Sequence, residues 1–347
     1  MKYLITGGAG FIGANLAKKA LNEGNSVLII DNLSRTGSAE NLKWLSQFKG
    51  VTFFKTDIRD STEVSRIIEK HMPDAIFHLA GQVAMTTSLT DPVMDFQINA
   101  LGTVNILESV RKTSPDSIVI FASTNKVYGD LRKYHYGEQD TRFFCKEYPN
   151  GFNEDVPLEF STPYGCSKGS ADQYMIDYFR TFGIRTVSFR HSSMYGDRQF
   201  STFDQGWIGW FVQKAIEKSL GREDTFTVSG SGKQVRDILH VNDVTDLYFK
   251  AIDSIDKIAG NAFNIGGGFE NSLSILELLS LLEKELNVDL NFTKIPERLN
   301  DQKVFIADIS LIKDTIQWTP KVSKESGIKR MVAWTINKLN HRGGRQV

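Results

Sequence analysis

Short apolar runs alternate with longer amphipathic stretches along the first half of the chain. Tyr3-Leu4-Ile5, Val27-Leu28-Ile29-Ile30, Val51 to Phe54, Ala75 to Leu79 and Ile118 to Ala122 read as buried strands, and Phe11 to Asn22 and Val93 to Lys112 read as helices. Strand and helix in alternation predict an α/β fold with a doubly wound parallel sheet covered on both faces. Such sheets place ligands at the carboxyl ends of their strands. Beyond about residue 190 the alternation loosens. Aromatic residues cluster from Phe200 to Phe211, and a late helix is expected over Ser274 to Asn287. The expected division is a first domain over 1–190, a smaller mixed α/β lobe over 191–336 that is partly discontinuous, and a mobile polar tail over 337–347. A long polar and aromatic insertion at about 130–163 reads as a lid or an interface segment.

The bulk composition narrows the function. The 347 residues carry 41 Lys and Arg against 41 Asp and Glu, for a formal net charge of zero. No strongly basic face is present, so nucleic acid is not an expected partner. Cys145 and Cys166 are the only cysteines, which excludes a disulfide scaffold and fits a reducing compartment. No apolar run approaches the roughly 18 residues of a membrane span. The opening Met1-Lys2-Tyr3-Leu4-Ile5 reaches glycine too soon for a secretory leader. A cytoplasmic protein with no membrane partner is expected.

Thr6-Gly7-Gly8-Ala9-Gly10-Phe11-Ile12-Gly13 joins the first strand to the first helix. Gly7, Gly10 and Gly13 permit a tight turn and let backbone amides approach a pyrophosphate at a helix N-terminus. Asp31 closes the second strand, 18 residues beyond Gly13. A carboxylate there binds ribose hydroxyls and repels a 2′-phosphate, which favours NAD over NADP. Arg35 nearby is the counter-signal. Asp57 follows another strand and is placed either to meet the adenine or to cap a helix.

Tyr164 and Lys168 stand at i and i+4, so a helix brings phenol and ammonium to one face. A nearby cation would lower the phenol's pKa and suit it to take a proton from a sugar hydroxyl. Ser123 and Thr124 put hydroxyls at the end of a buried strand, and Thr124 could hydrogen-bond an oxygen that becomes a carbonyl. Asn99 falls inside a predicted helix, where asparagine is mildly unfavourable and would ordinarily face solvent.

The glycine turn, Asn99, Ser123-Thr124 and Tyr164/Lys168 together resemble the extended short-chain dehydrogenase/reductases that act on nucleotide sugars. His78-Leu79-Ala80-Gly81, Arg236 to Asp243, Asn264-Ile265-Gly266-Gly267, and Arg298 with Asp301 extend the match over about residues 1–336. The resemblance implies a Rossmann-like sheet that binds NAD, and a C-terminal lobe that binds a nucleotide-diphosphate sugar. It implies that Tyr164 is the base, that Lys168 binds the nicotinamide ribose and tunes Tyr164, and that Thr124, with Ser123, supports the sugar oxygen. Asn99 would hold its helix and a water leading to Lys168. Gly7, Gly10, Phe11, Ile12, Gly13, Asp31, Asn32, Ser34, Arg35, Asp57, Ile58, Leu79, Ala80, Gly81, Gln82 and His191 would complete the NAD site. Val83, Met85, Thr87, Asn125, Ser193, Arg198, Gln199, Arg236, Arg298 and Asp301 would face the substrate, with the two arginines Arg236 and Arg298 on its pyrophosphate.

Dehydratases of this family carry an Asp-Glu pair directly after the catalytic Thr, where this chain has Asn125-Lys126. The resemblance therefore points away from 4,6-dehydration. Within the family, the segments around Thr124, Tyr164 and Arg198 to Phe211 favour inversion at C2 of a CDP-3,6-dideoxyhexose. Inversion at C4 of a UDP-hexose is the alternative, and a non-catalytic NAD sensor is a remote one. Tight NAD that is regenerated in each cycle, no metal, and a homodimer or homotetramer are the remaining expectations.

Overall fold

The computed structural model describes residues 1–222, 225–298 and 301–343. Seven parallel strands form one sheet in the spatial order Asn261–Ile265, Thr186–His191, Ile118–Thr124, Ala75–His78, Lys2–Thr6, Ser26–Asp31, Val51–Lys55. Each predicted early strand is present, and the first helix occupies Phe11–Asn22. Successive side chains of a strand point to opposite faces. Tyr3, Ile5, Val27 and Ile29 accordingly enter one apolar cluster, while Leu4, Leu28 and Ile30 enter the other. Burying each such side chain contributes about 1.5–3 kcal/mol, so both faces need helices over them. The helices Phe11–Asn22 and Val241–Asp253 cover one face, and Ser61–His71, Gly102–Thr113 and Thr162–Phe182 cover the other. The direction of winding reverses between Lys2–Thr6 and Ala75–His78, which opens a crevice at their carboxyl ends.

The second half of the chain is shared between two bodies of structure. The strand Asn261–Ile265 and the helix Val241–Asp253 return to the first sheet. The strand Val235–His240 instead pairs with Ser193–Tyr195, Ser272–Ser274 and Val304–Phe305. Helices Trp207–Ser219, Ile275–Leu286 and Lys324–Gly343 contribute to a separate apolar core around it. The late helix starts on a capping box, with Ser274 and Glu277 exchanging side-chain and backbone bonds.

Two expectations about local structure change, and the insertion proves internally packed. The stretch Val93 to Lys112 is not one α-helix: Pro92–Phe96 passes through a π-turn at Gln97–Leu101 into Gly102–Thr113. Helix also continues to Gly343 through the stretch expected to be a mobile tail, and residues 344–347 lie outside those described. Finally, the long insertion has a core of its own, in which Tyr128, Leu131, Phe152 and Val156 pack with Phe305. Phe152 is also tied by backbone bonds to Ile306 and Asp308, at 2.7 and 2.9 Å.

Candidate active site

The crevice is built first from backbone. Gly7 adopts φ +68°, and a Cβ there would lie 2.8 Å from the Ala80 nitrogen. A Cβ on Gly13 would overlap the Gly7 carbonyl oxygen. Turn, helix and the Leu79-Ala80 strand end therefore meet more closely than any side chain allows. Gly10 caps the helix Phe11–Asn22 without a side-chain bond, which leaves the helix's first amides to a ligand. Asp31 accepts from the Ala9 amide at 3.0 Å and from the Leu33 amide at 2.8 Å, so its carboxylate is fixed at the rim of this cradle. Thr6 Oγ1 accepts from the Leu79 and Ala80 amides, each at 3.2 Å, and pairs with the buried His78. These features fit a dinucleotide with its pyrophosphate at the helix end.

Other residues expected at the cofactor fall in different settings. Asn32, Ser34 and Arg35 are exposed beyond Asp31. Asp57 is engaged by Arg59 and by Asn32 Nδ2, and the Arg59 bond holds its carboxyl down at about 2. Ile58 is core, packed where Gly102 leaves room. His191 is buried against the Tyr248 hydroxyl at 3.0 Å, and burial pushes it down to about 3.

Tyr164 and Lys168 lie on the helix Thr162–Phe182 and are 8% and 4% exposed. The helix starts at Thr162-Pro163, with proline where its missing N–H costs nothing. Lys168 Nζ donates to the Ala122 carbonyl at 2.5 Å and lies 3.9 Å from the Phe121 ring centroid. Burial brings Lys168 down to about 7, partly opposed by Asp172 and Asp95. Burial also raises the Tyr164 phenol to about 12, against the lowering contact with Thr124. This corrects the expected direction: desolvation outweighs any help from a cation that is turned toward Ala122.

Asn99 is 1% exposed rather than solvent-facing. The π-turn turns it inward, consistent with the use of such turns at functional sites. Its Oδ1 accepts from the Gln82 amide at 2.9 Å, and its Nδ2 donates to the Gln82 carbonyl at 3.0 Å and to Ser167 at 3.0 Å. Asp95, one turn earlier, accepts from Gln82, Asn99 and Ser167. A Cβ on Gly81 would meet Asn99 Oδ1 at 3.0 Å and Lys168 Nζ at 3.9 Å, so both polar groups converge on that glycine. The network fixes the floor on which Gly81 and Gln82 sit. Asp95 and Ser167 were missed by sequence reasoning, although the Asp95/Asn99 spacing of one helical turn was readable. Val83, Met85 and Thr87 are half-buried on the turn and short helix that follow.

Ser123 and Thr124 end the strand Ile118–Thr124. The Ser123 hydroxyl is buried without a protein partner, and the Thr124 hydroxyl accepts from the Lys126 amide. A pocket of about 170 Å³ in the second lobe is walled by Phe203, Trp207 and Trp210 and polar at Ser193, Arg236, Arg298 and Asp301. Asp301 Oδ1 holds Arg236 at 2.6 Å and Lys126 at 3.4 Å. Arg298 donates to the Phe203 carbonyl at 2.9 Å. Trp207 donates to Ser193 at 3.1 Å, so the aromatic cluster supplies pocket wall as well as core. Arg198 stands elsewhere, 3.8 Å over the Trp44 ring, and Gln199 donates to the Met194 carbonyl.

The chain belongs to the family described as GDP-mannose 4,6 dehydratase, whose pattern matches residues 4–331. More narrowly, it is 56% identical to CDP-paratose 2-epimerase of Salmonella typhi over 335 residues, which are 96% of this chain and 99% of that relative. A putative UDP-glucose 4-epimerase of Methanocaldococcus jannaschii is 31% identical over 96% of this chain and 98% of its own. Among solved structures, UDP-glucose 4-epimerase of Thermotoga maritima with UDP-glucose superposes with a TM-score of 0.84 at 29% identity, covering 98% of this chain and 100% of that one. The Thermus thermophilus UDP-glucose 4-epimerase in complex with NAD gives 0.80 at 28% identity, over 97% and 99% of the two chains.

Proposed function

We propose that this chain is an NAD-dependent isomerase that inverts C2 of a CDP-3,6-dideoxyhexose, converting CDP-paratose to CDP-tyvelose. The observation that carries the reading is the 56% identity to CDP-paratose 2-epimerase across 96% of the chain, and the Tyr164–Thr124 contact and the approach of Lys168 Nζ to Gly81 support it. The C2 carbinol has no carbonyl neighbour, so its C–H is not acidic. Inversion there requires a 2-keto sugar. NAD, when bound in the cradle, supplies the hydride acceptor and donor. Tyr164 takes the hydroxyl proton and later returns it, and Thr124 supports the oxygen as it becomes a carbonyl. Lys168 presents a buried ammonium on the same helix face. Arg236 and Arg298 hold the diphosphate while the sugar turns its other face to the ring. Asn125 and Lys126 offer no carboxyl group for expelling water, which separates this chain from the dehydratases. The half-buried Val83 and Met85 suit a deoxygenated sugar.

NAD is regenerated within each turnover, so it is expected to remain bound. A homodimer, or a homotetramer built from it, is supported by exposed Val93, Phe96, Leu101, Phe179 and Phe182 on neighbouring helices. Purified protein given CDP-paratose and, separately, UDP-glucose is expected to change configuration at C2 of the first and to leave C4 of the second unchanged, as read by NMR. C4 inversion of UDP-glucose with CDP-paratose untouched would replace the proposal by the 4-epimerase reading, which the 31% relative makes its nearest rival.

A further inference from the structure

Two side-chain amides connect Thr124 to a segment of the second lobe far away in sequence. Gln302 is 1% exposed, and its Nε2 donates to the Gly129 carbonyl at 2.7 Å. That bond fixes which end of the amide faces which neighbour, because a carbonyl accepts only a donor. The Gln302 carbonyl is thereby turned to Asn125, whose Nδ2 donates to it at 3.1 Å. Asn125 is buried too, so its own carbonyl is left facing Thr124, and the Thr124 hydroxyl donates to it at 3.3 Å. Reversing Asn125 would set carbonyl against carbonyl at Gln302. The line therefore runs in one direction only, from a backbone carbonyl to the hydroxyl beside Tyr164.

We propose that Gln302 is a positioning residue for the reaction: acting through Asn125, it gives the Thr124 hydroxyl a fixed acceptor and so sets where its proton points before the sugar oxygen claims it. The inference rests on the reading of Thr124 as the group that supports that oxygen. The same segment carries Asp301, whose Oδ1 accepts from the Gln302 backbone N–H at 3.0 Å while holding Arg236. The cation expected at the diphosphate and the hydroxyl expected at the sugar thus share one support. An unheld Asn125 could turn its amide nitrogen to Thr124 and direct the hydroxyl proton elsewhere.

The test compares Gln302→Met, Asn125→Ala, the double variant, Gln302→Glu and Thr124→Val, each with NAD bound and CDP-paratose as substrate. Gln302→Met and Asn125→Ala should each lower kcat about tenfold with KM little changed, because a misdirected hydroxyl costs rate rather than binding. The double variant should lose no more than the worse single, since both act through one line. Gln302→Glu can replace the amide only as the neutral acid, whose hydroxyl donates to the Gly129 carbonyl while its carbonyl accepts from Asn125, so it should keep more of kcat than Gln302→Met at low pH and lose that advantage as pH rises. Together with Asn125→Ala it decides the matter if Gln302→Met does not fold. Losses that multiply, unchanged kcat in both singles, or a rise in KM alone would overturn the proposal. Undiminished turnover in Thr124→Val would instead remove the reading of Thr124 on which it rests.

Discussion

Tyr164→Phe should reduce turnover by roughly a thousandfold or more while leaving the fold and bound NAD intact. Only the phenol oxygen is lost, and the ring stays in its buried place. Among the described residues, only Lys168 stands ready to replace it. His78 and His191 are held neutral by burial and engaged by Thr6, Thr103 and Tyr248. Asp95 is enclosed by Gln82, Asn99 and Ser167. The nearest rival is Lys168, brought by burial to about 7 and therefore partly neutral near that pH. Single-turnover measurement with bound NAD separates the two. A loss of less than about tenfold, with a rate that follows deprotonation near 7, would transfer the base's role to Lys168.

The second large effect couples activity to stability. Lys168→Met should lower kcat by roughly a hundredfold or more and should also make the folded protein more stable near neutral pH. The Lys168 pKa falls from 10.5 to about 7 on folding, because burial strips the ammonium of water. Below about 7 the folded chain carries that buried cation and bears its full cost. Between 7 and 10.5 the unfolded chain binds a proton that the folded chain has released, so this group makes stability rise with pH. The slope is at most about 1.4 kcal/mol per pH unit. Methionine fills a similar volume without the charge. Urea unfolding of both proteins across this range should therefore show the variant's advantage to be greatest at or below neutral pH and to fade as pH rises. A variant less stable at every pH would show that the Ala122 bond and the Phe121 contact outweigh desolvation.

These two residues also mark what a sequence can disclose. The Tyr164/Lys168 spacing, the glycine turn and Asp31 were legible because each is a local demand: a helical repeat, a backbone that tolerates no Cβ, and a strand end. The doubly wound sheet was legible for the same reason, since its strands are continuous apolar runs. The pKa of Tyr164 was not. A cation four residues away suggests a lowered value, but the direction in which Lys168 points is set by the Ala122 carbonyl, and the burial of both groups is a property of the whole fold. The inward turn of Asn99 depends on a π-turn that propensity does not announce. The Asn125–Gln302 pair joins residues 177 apart in sequence, and neither amide is unusual where it stands. Nor was the stacking of Arg198 on Trp44 legible, because an arginine's resting place depends on which aromatic ring the fold brings within reach.

In the proposed reaction a hydride leaves C2 and returns to the same carbon from the other face, with no exchange of that hydrogen with water. Substrate carrying deuterium at C2 reports on that hydrogen. After complete conversion in ordinary water the product should have the inverted configuration and still carry its deuterium at C2. Inverted product with hydrogen from solvent at that carbon would rule out internal hydride return.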